Sequence, residues 1–436
     1  MSSLDIGALG LLALLVCIAS GIPVGVSLAS VGLAGIFVLK GSVVVLDMLG
    51  WQPYHSLALF AFVTLPLFIL MGEYAHHTGA ATSAFSASYK WLANLTGGLA
   101  MAVVSASALF AACTGSSIAS AATMAKVCYP EMRKFGYDKG FSAGLVAASG
   151  SLAALIPPSV IMVLYCMLTE TSLARLLVAG FFPGVLSAIV WMSVIYVMVK
   201  LKPSLGPNKE WFPWKERLRA LPQIGGIGLI VVFVIGGMYV GIFTASEAAA
   251  AGAILTLVMA LMKKTLSFSV MRESLHMTCV TTTSIFFIVF GALIFGKYLS
   301  LSGITKYAVE LITASSLPPL VVFIGIFLLY LFLGCILEAA SMLAVTLPLV
   351  FPLMVALGYD PIWFGIIVVK MCEMAVITPP VGLNVYAVKG ILKEEVSLES
   401  LFSNVVPFLI GDVIILTILY IFPQIVLFLP SHFIGS

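Results

Sequence analysis

The chain has 436 residues, of which 61% are hydrophobic and 9% are charged, and its formal net charge is +3. Soluble domains carry about 25% charged residues, so this composition excludes an ordinary soluble globule and indicates a polytopic membrane protein. Outside residues 200–219 there is no basic block, which excludes a nucleic-acid-binding surface. No GxxxxGK[ST] or HExxH motif is present, so we expect a protein that is not an enzyme.

The apolar runs are continuous and lack strand-like alternation, which predicts an all-α membrane fold rather than a barrel. In the first half, the sequence predicts helices near 5–20, 23–39 and 57–76, a hairpin at 95–129, a broken helix at 141–169 and a last span near 177–199. The second half shows the same order: helices near 222–240, 246–262 and 277–296, a hairpin at 318–352, a broken helix at 362–388 and a last span near 402–429. We expect residues 200–221 to form a cytoplasmic amphipathic linker.

Matching landmarks in the two halves indicate an internal duplication. Gly136-Tyr137-Asp138 recurs as Gly358-Tyr359-Asp360, and Pro157-Pro158 recurs as Pro379-Pro380, both 222 residues later. Because a hairpin returns to its starting side, each half would cross the membrane an odd number of times. We therefore predict two inverted repeats, residues 1–199 and 222–436.

The placement of basic residues favours one orientation of these repeats. Most of the 21 Lys and Arg residues face the cytoplasm if the linker lies there, and both termini then face outward. The residues on the cytoplasmic side are Lys90, Arg133, Lys134, Lys139, Lys200, Lys202, Lys209, Lys215, Arg217, Arg219, Lys263, Lys264, Arg272, Lys389 and Lys393.

The two hairpins are too short to cross a bilayer. A limb of about 15 helical residues rises only about 22 Å, less than a hydrocarbon core of about 30 Å. We therefore expect both hairpins to be re-entrant, with polar tips at Thr114-Gly115-Ser116-Ser117 and at residues 334–338. Inverted symmetry would bring the two tips together near the centre of the protein.

Tandem prolines interrupt one apolar segment in each half, at Ile156-Pro157-Pro158-Ser159 and at Thr378-Pro379-Pro380-Val381-Gly382-Leu383-Asn384. Proline removes a backbone donor and frees the preceding carbonyls, which lipid cannot satisfy. Freed carbonyls and hydroxyls suit a small cation such as Na⁺, and the half-helix N-termini beyond each break favour an anionic substrate group. Two proline kinks packed against neighbouring helices remain the alternative interpretation.

Five carboxylates lie in or beside apolar runs: Glu73, Glu247, Glu338, Glu373 and Asp412. Glu338, at the second tip, is the strongest functional candidate because a charge inside a membrane usually faces a cavity or a partner. Glu247 follows Thr244 at a helix start, which favours a capping role. Glu373 stands three residues after Lys370, and a salt bridge and a substrate site are equally compatible with that spacing. Proton-coupled transport would be expected to use several carboxylates at the tips. Only one is present there, so we rank Na⁺ above H⁺ as the coupling ion.

The seven cysteines contain no CxxC pair and the five histidines show no recurring ligand spacing, so neither predicts a metal or redox site. His76 and His77 precede a Thr-Gly turn and are interpreted as structural or interfacial.

Five motifs in register resemble the large membrane (M) subunit of tripartite ATP-independent periplasmic (TRAP) transporters, and the resemblance runs nearly end to end. The motifs are residues 66–73 (PLFILMGE), 115–119 (GSSIA), 156–159 (IPPS), 241–249 (GIFTASEAA) and 378–384 (TPPVGLN). Two positions depart from the family pattern: Ser120 stands where an Asp is often found, and Ala375 stands where a Gly is common.

The resemblance implies a Na⁺-coupled secondary active importer of a small organic acid, with an elevator-type ion transporter fold in the bacterial inner membrane and both termini periplasmic. It also implies two partners, a small four-helix membrane subunit (Q) and a periplasmic substrate-binding protein (P). The residues carried over as Na⁺ ligands are Gly115, Ser116, Ser117 and Ile156 in one half and Gly334, Thr378, Gly382 and Asn384 in the other. Those expected at the substrate cavity are Ser120, Ser159, Glu338 and Asn384.

Two alternatives stay open at this point. A stand-alone Na⁺ or H⁺ symporter of dicarboxylates or citrate would share the inverted-repeat architecture without a binding protein. The substrate is also open, because sialic acid, C4-dicarboxylates, other sugar acids and keto acids all present a carboxylate.

Overall fold

A computed structural model describes residues 2–58, 60–206, 210–315 and 317–433, and within these ranges the chain is helical with no strands. Lys209, one of the basic residues assigned above to the cytoplasmic side, lies outside the described residues.

The first half contains eleven helices among the described residues. They are α1 (Ser3–Ala19), α2 (Val24–Lys40), α3 (Ser42–Leu57), α4 (Thr64–His77), α5 (Ala80–Leu92), α6 (Gly98–Thr114), α7 (Ser117–Lys134), α8 (Lys139–Gly150), α9 (Val160–Thr169), α10 (Leu173–Ala179) and α11 (Phe181–Leu201). Short 3₁₀ turns, Phe60–Val63 and Ser151–Ala154, precede α4 and follow α8.

The linker helix α12 and the second half follow. A 3₁₀ turn at Leu221–Ile224 joins α12 to α13, and a π turn at Val232–Gly236 joins α13 to α14. The helices are α12 (Trp214–Ala220), α13 (Gly225–Val231), α14 (Gly237–Tyr239), α15 (Ala245–Met262), α16 (Phe268–Ser302), α17 (Ile304–Ala314), α18 (Pro319–Gly334), α19 (Ala339–Ala356), α20 (Pro361–Ala375), α21 (Leu383–Leu392), α22 (Leu398–Ile421) and α23 (Gln424–Ser431).

Six helical stretches among the described residues are long and apolar enough to cross a membrane. They are Leu173–Leu201, Trp214–Tyr239, Ala245–Met262, Phe268–Ser302, Ala339–Ala356 and Leu398–Ile421. Further apolar helices, among them α6 and α18, are shorter, at 17 and 16 residues. A helix of that length rises only about 25 Å, so these two hairpin limbs fall short of the hydrocarbon thickness. The other limb of the second hairpin, Ala339–Ala356, is long enough to cross, which differs from the expectation that both hairpins are too short.

The predicted hairpins and broken helices are present with shifted limits. The hairpins are α6–α7 and α18–α19, and the broken helices are α8–α9 and α20–α21. The predicted single span at 57–76 is wrong at its start, because α3 ends at Leu57 and α4 begins only at Thr64. Its counterpart in the second half, α16, runs unbroken for 35 residues.

Two amphipathic helices, α5 and α17, were absent from the sequence-based elements. Each begins after a glycine with positive φ, Gly79 (φ 68°) and Gly303 (φ 79°), which turns the chain away from the preceding span. Both are too polar to register as spans, so a search for long apolar runs passes over them.

The repeated Gly-Tyr-Asp motif has the same structural role in both halves. Gly136 and Gly358 adopt positive φ and end the hairpin, as glycine readily does. The following aspartates cap the broken helices: Asp138 Oδ1 accepts from the Phe141 N–H at 2.9 Å, and Asp360 Oδ1 accepts from the Ile362 N–H at 2.8 Å. The motif therefore sets the entry to each broken helix.

Two helices of each half pack against helices of the other half. The helix α16 lies along α2, and α15 lies along α4. Since α2 and α15 hold corresponding places in their halves, as do α4 and α16, the two contacts are equivalent. The broken helices and hairpins pack beside this frame, with α8 between α7 and α22.

The linker between the halves is docked on α5. Tyr89 Oη donates to Glu210 Oε2 at 2.6 Å, and Trp91 Nε1 donates to the Arg217 carbonyl at 3.1 Å. The Trp214 ring meets the Trp91 ring edge-on at 6.0 Å.

Candidate functional site

The tip of the first hairpin, residues 114–117, rests on the break of its own half. Gly115 has φ 61° and its carbonyl accepts from the Val160 N–H at 3.3 Å. A Cβ at Gly115 would lie 2.7 Å from the Pro158 carbonyl oxygen, closer than real Cβ contacts. Only glycine therefore fits both the backbone conformation and the approach to the break. Ser116 caps α7, its Oγ accepting from the Ala119 N–H at 3.5 Å.

The first break lies between the 3₁₀ turn and α9. The Ile156 N–H donates to the Leu152 carbonyl at 2.9 Å, so the chain keeps one helical bond before the two prolines. Ser159 then restarts the helix: its hydroxyl donates to the Ala154 carbonyl and accepts from the Met162 N–H at 3.4 Å. The hydroxyl of Ser159 thus bridges the two half-helices.

The second tip, residues 334–338, rests on the second break in the same way. A Cβ at Gly334 would lie 2.3 Å from the Cβ of Ala375, and Cys335 Sγ donates to the Pro379 carbonyl at 3.2 Å. Thr378 Oγ1 donates to the Met374 carbonyl at 2.8 Å. Past the prolines, Gly382 turns with φ 47° and starts α21.

Both tips open onto one cavity of about 450 Å³. Helices α4 and α16 form the wall of the cavity opposite the tips. The start of α9 and the second break form its ends. The lining residues are Ile69, Gly72, Glu73, His76, Thr114, Gly115, Ser116, Ser117, Ile118, Ala119, Val160, Ile161, Val280, Thr281, Ser284, Ile285, Ile288, Glu338, Ala339, Ala340, Val376 and Leu383. The structure thus brings the two tips to the same place.

Some residues expected at the substrate cavity lie elsewhere. Glu338 lines the cavity and is exposed to it. Ser120, Ser159 and Asn384 are fully buried and do not line it. Ser120 and Asn384 lie within the first turn of α7 and α21, where the helical turn points their side chains into the packed interior. Ser159 is the N-cap of α9, and its hydroxyl is bonded to the Ala154 carbonyl.

The residues expected to bind Na⁺ form two groups, one at each tip and break. Gly115, Ser116 and Ser117 line the cavity directly. The others lie in the tips and breaks without lining it: Ile156, Gly334, Thr378, Gly382 and Asn384.

Two buried oxygen atoms close to these groups lack hydrogen-bond partners. Asn384 donates through Nδ2 to the Ala147 carbonyl at 3.4 Å, which leaves its Oδ1 unpartnered. Ser120 Oγ, one turn into α7, is likewise buried without a partner. An unpaired buried polar atom costs about 1–3 kcal/mol, a cost that a bound water or ion removes. Oxygen donors of this kind fit a hard cation.

The charges around the cavity are acidic. Glu73 and Glu338 line it, and none of the lining residues among the described part of the chain is Lys or Arg. His76 also lines it, and its Nδ1 lies 2.8 Å from Thr123 Oγ1. An anionic substrate here has no lysine or arginine to pair with.

Sequence reasoning missed the contribution of α16 to the cavity. Thr281 and Ser284 line it, and they belong to a run of four hydroxyl residues, 281–284, inside an otherwise apolar helix. That polar interruption was a usable signal, because hydroxyls in a span usually face a cavity or a neighbouring helix.

The remaining intramembrane carboxylates have structural partners. The capping role of Glu247 is confirmed: its Oε2 accepts from the Thr244 N–H at 2.8 Å, and the Thr244 hydroxyl accepts from the Glu247 N–H at 3.3 Å. Glu373 pairs with Lys370 at 3.1 Å, and Asp412 joins the same lysine at 2.7 Å. None of these three lines the cavity, which favours the salt-bridge interpretation over a substrate site.

Comparison with known proteins gives a consistent family. Residues 11–425 match the family model described as tripartite ATP-independent periplasmic transporter, DctM component. The chain is 31% identical to the C4-dicarboxylate TRAP transporter large permease protein DctM of Vibrio cholerae, over 95% of each chain. It is 30% identical to the sialic acid TRAP transporter large permease protein SiaM of the same organism, over 95% of this chain and 96% of that one.

A longer relative and a solved structure are also similar to this chain. The isethionate TRAP transporter permease protein DctMQ of Oleidesulfovibrio alaskensis is 28% identical over 94% of this chain and 64% of its own length. The crystal structure of the Alcanivorax borkumensis YdaH transporter, which has an unusual topology, superposes with a TM-score of 0.63. It covers 88% of this chain and 90% of that one at 13% identity, which shows a shared fold.

Proposed function

Because the chain belongs to the family of tripartite ATP-independent periplasmic (TRAP) transporter large permeases, the DctM component, we propose that it imports a small carboxylate-containing organic acid together with Na⁺. The observation that carries the proposal is the meeting of two hairpin tips, each seated on a helix break, at one cavity. Paired breaks beside a cavity are the places where membrane transporters bind ions and substrates.

The charges of the cavity support Na⁺ as the coupling ion. At a separation of about 6 Å and an effective dielectric constant of about 20, a substrate carboxylate and one glutamate repel by about 3 kcal/mol. The cavity contains Glu73 and Glu338 and no lysine or arginine among its described lining residues. Bound Na⁺ would offset this repulsion, so substrate and ion bind together.

The ion ligands would come from the two tip-and-break groups. In the first group we assign Gly115, Ser116, Ser117 and Ile156. In the second we assign Gly334, Thr378, Gly382 and Asn384. Support comes from the unpartnered Oδ1 of Asn384 and from the close seating of both tips, which places backbone carbonyls beside the breaks.

The substrate would bind between the tips and α16. The N-terminus of α7 lies at the cavity edge, where Ser117 and Ala119 line the cavity, and Thr281 and Ser284 supply hydroxyls from the other side. A helix N-terminus favours a carboxylate. Glu338 would then accept hydrogen bonds from hydroxyl or amino groups on the rest of the substrate.

We assign two partners, as for a three-component transporter: a small four-helix membrane subunit and a periplasmic binding protein. The binding protein would deliver the organic acid to the outer face of the inner membrane, where both termini of this chain lie. The domain made of the two hairpins and broken helices would then slide inward past the frame of α2, α4, α15 and α16, as in an elevator. Support for this division comes from the packing of that frame as two equivalent helix pairs.

Reconstitution in liposomes tests the proposal. The chain is co-purified with the small subunit, and uptake of radiolabelled organic acids is measured with and without the binding protein. We expect uptake only with the binding protein and an inward Na⁺ gradient. Uptake by the chain alone, or uptake that follows a pH gradient in the absence of Na⁺, would refute the assignment.

A further inference from the structure

Three charged side chains form a cluster in the interior, away from the cavity. Lys370 Nζ lies 2.7 Å from Asp412 Oδ1 and 3.1 Å from Glu373 Oε2, and all three side chains are 0% exposed. Trp191 Nε1 donates to Asp412 Oδ1 at 2.9 Å. Ser151 Oγ lies 3.2 Å from Glu373 Oε1.

With every group in its usual ionised form, this cluster would carry one uncompensated negative charge. Two carboxylates share a single ammonium, and among the described residues no other ion pair reaches either carboxylate. An unpaired charge in a buried site is so costly that the group binds or releases a proton instead. The charge count therefore requires one more positive charge than the side chains provide.

Other titratable groups on the packed elements do not supply it. The Tyr165 hydroxyl donates a hydrogen bond to the Pro361 carbonyl, and the Tyr330 hydroxyl forms a hydrogen bond with Thr346. Cys372 is a buried, uncharged thiol. The charged or titratable residues at the ends of α10, α20, α22 and α23 are exposed: Arg175, Asp360, Glu399 and His432.

The hydrogen bonds of Ser151 show which carboxylate holds the extra proton. Its Oγ has two possible acceptors, the carbonyl oxygen of Ala148 at 2.9 Å and Glu373 Oε1 at 3.2 Å, and we assign its single hydroxyl hydrogen to the nearer one, Ala148. The Oγ then turns a lone pair toward Glu373 Oε1 at 3.2 Å. Two acceptors facing each other would repel, whereas a proton on Oε1 makes the contact a hydrogen bond donated to Ser151.

We propose that the Lys370–Glu373–Asp412 cluster is a proton-binding site that holds one proton on Glu373, so that the cluster is electrically neutral. Asp412 remains ionised, forms an ion pair with Lys370 and accepts a hydrogen bond from Trp191 Nε1. Because the cluster is fully buried and does not line the cavity, the proton stays bound while substrate and ion pass. The site ties the end of α20, before the second break, to the 3₁₀ turn before the first break and to α11 and α22.

The cluster also joins equivalent places of the two halves. Ser151 and Glu373 are 222 residues apart, the offset of the repeated Gly-Tyr-Asp motif. Equivalent residues that touch lie close to the axis relating the repeats. A neutral hydrogen-bonded cluster at this point holds the two breaks in a fixed relation without a net buried charge.

Two single variants test the assignment in the purified complex. Glu373→Gln keeps the shape of the protonated form, since its amide donates to Ser151 and its carbonyl accepts from Lys370. We expect its melting temperature to stay within about 2 °C of the parent. Asp412→Asn breaks the Lys370–Asp412 ion pair, and we expect a larger fall. The reverse order, with Asn tolerated and Gln not, would place the proton on Asp412 and overturn the assignment.

Infrared spectroscopy and two double variants test the assignment without relying on the stability of the single Glu373 and Asp412 variants. The parent-minus-Glu373→Gln difference spectrum at neutral pH should contain the C=O band of a protonated carboxyl group; its absence contradicts the proposal. Lys370→Met should lower the melting temperature strongly, because it leaves Asp412 charged alone. Adding Asp412→Asn should restore most of that loss, and adding Glu373→Gln instead should not. Equal behaviour of the two double variants would also overturn the assignment.

Discussion

Gly115 offers the sharpest test of the seating between the first tip and its break. Replacing it by alanine adds one methyl group at a position with φ 61°, 2.7 Å from the Pro158 carbonyl oxygen. The same substitution at Gly79 is the matched control. Gly79 has φ 68°, but a Cβ there meets nothing within 4 Å.

The two glycines share the backbone penalty and differ only in the contact. A left-handed conformation costs a residue with a Cβ about 1–2 kcal/mol, which Gly79→Ala and Gly115→Ala both incur. Forcing a methyl group against packed backbone adds about 1–3 kcal/mol at Gly115 alone. To relieve the clash the tip must lift, which lengthens the 3.3 Å hydrogen bond from the Val160 N–H to the Gly115 carbonyl.

Melting temperature and Na⁺-driven uptake are measured on both variants. The comparison separates the backbone cost, which both variants share, from the cost of the clash with Pro158, which only Gly115→Ala has. Gly79→Ala should lose a few degrees and keep its uptake rate. Gly115→Ala should lose more stability, and its uptake should fall by about tenfold, the ratio that corresponds to 1.4 kcal/mol. If both variants behaved alike in both assays, the seating of the tip on the break would play no part in transport.

Three further predictions concern the ion, the cavity and a helix cap. Combining Ser116→Ala with Thr378→Ala should raise the Na⁺ concentration for half-maximal uptake by about thirtyfold, since each of the two lost hydroxyl ligands removes about 1 kcal/mol; Ser193→Ala, whose exposed hydroxyl bonds its own helix, should leave it unchanged. Glu338→Gln should also weaken Na⁺ binding, because one cavity charge about 8 Å from the ion contributes about 2 kcal/mol; a Na⁺ titration that overlays the parent curve would exclude Glu338. Thr244→Ala should cost about 1 kcal/mol of stability through the lost capping box, seen as a lower melting temperature with an unaltered Na⁺ titration.

Local signals in the sequence were enough to predict much of the architecture. Glycines with positive φ and tandem prolines mark turns and breaks that depend on only a few neighbouring residues. Gly136 and Gly358 end the hairpins, and Pro157 and Pro379 lie in the breaks. These positions recur at a constant offset, so a single sequence shows both the elements and their order.

Elements without a strong local signal were missed or misplaced. The amphipathic helices α5 and α17 lack long apolar runs, and α3, which follows α2 after the single residue Gly41, falls between the spans predicted near 23–39 and 57–76. Their helical form depends on packing against other helices, which hydropathy does not report.

Side-chain direction was the least predictable property of the site. Ser120 and Ser159 are one to three residues beyond a tip or a break, and a helix turns by about 100° at each residue, so adjacent positions face different surroundings. Ala119 and Val160 line the cavity, while Ser120 and Ser159 beside them are buried. The pairing of Asp412 with Lys370 joins helices far apart in sequence and required the structure.

The central claim is that two tips seated on two breaks bind Na⁺ and an organic acid together. The most direct test is uptake of the substrate by liposomes that contain this chain with its small subunit and binding protein, driven either by a Na⁺ gradient or by a pH gradient. The account predicts accumulation with the Na⁺ gradient alone, and none with the pH gradient in Na⁺-free buffer. Accumulation driven by the pH gradient without Na⁺ would contradict it.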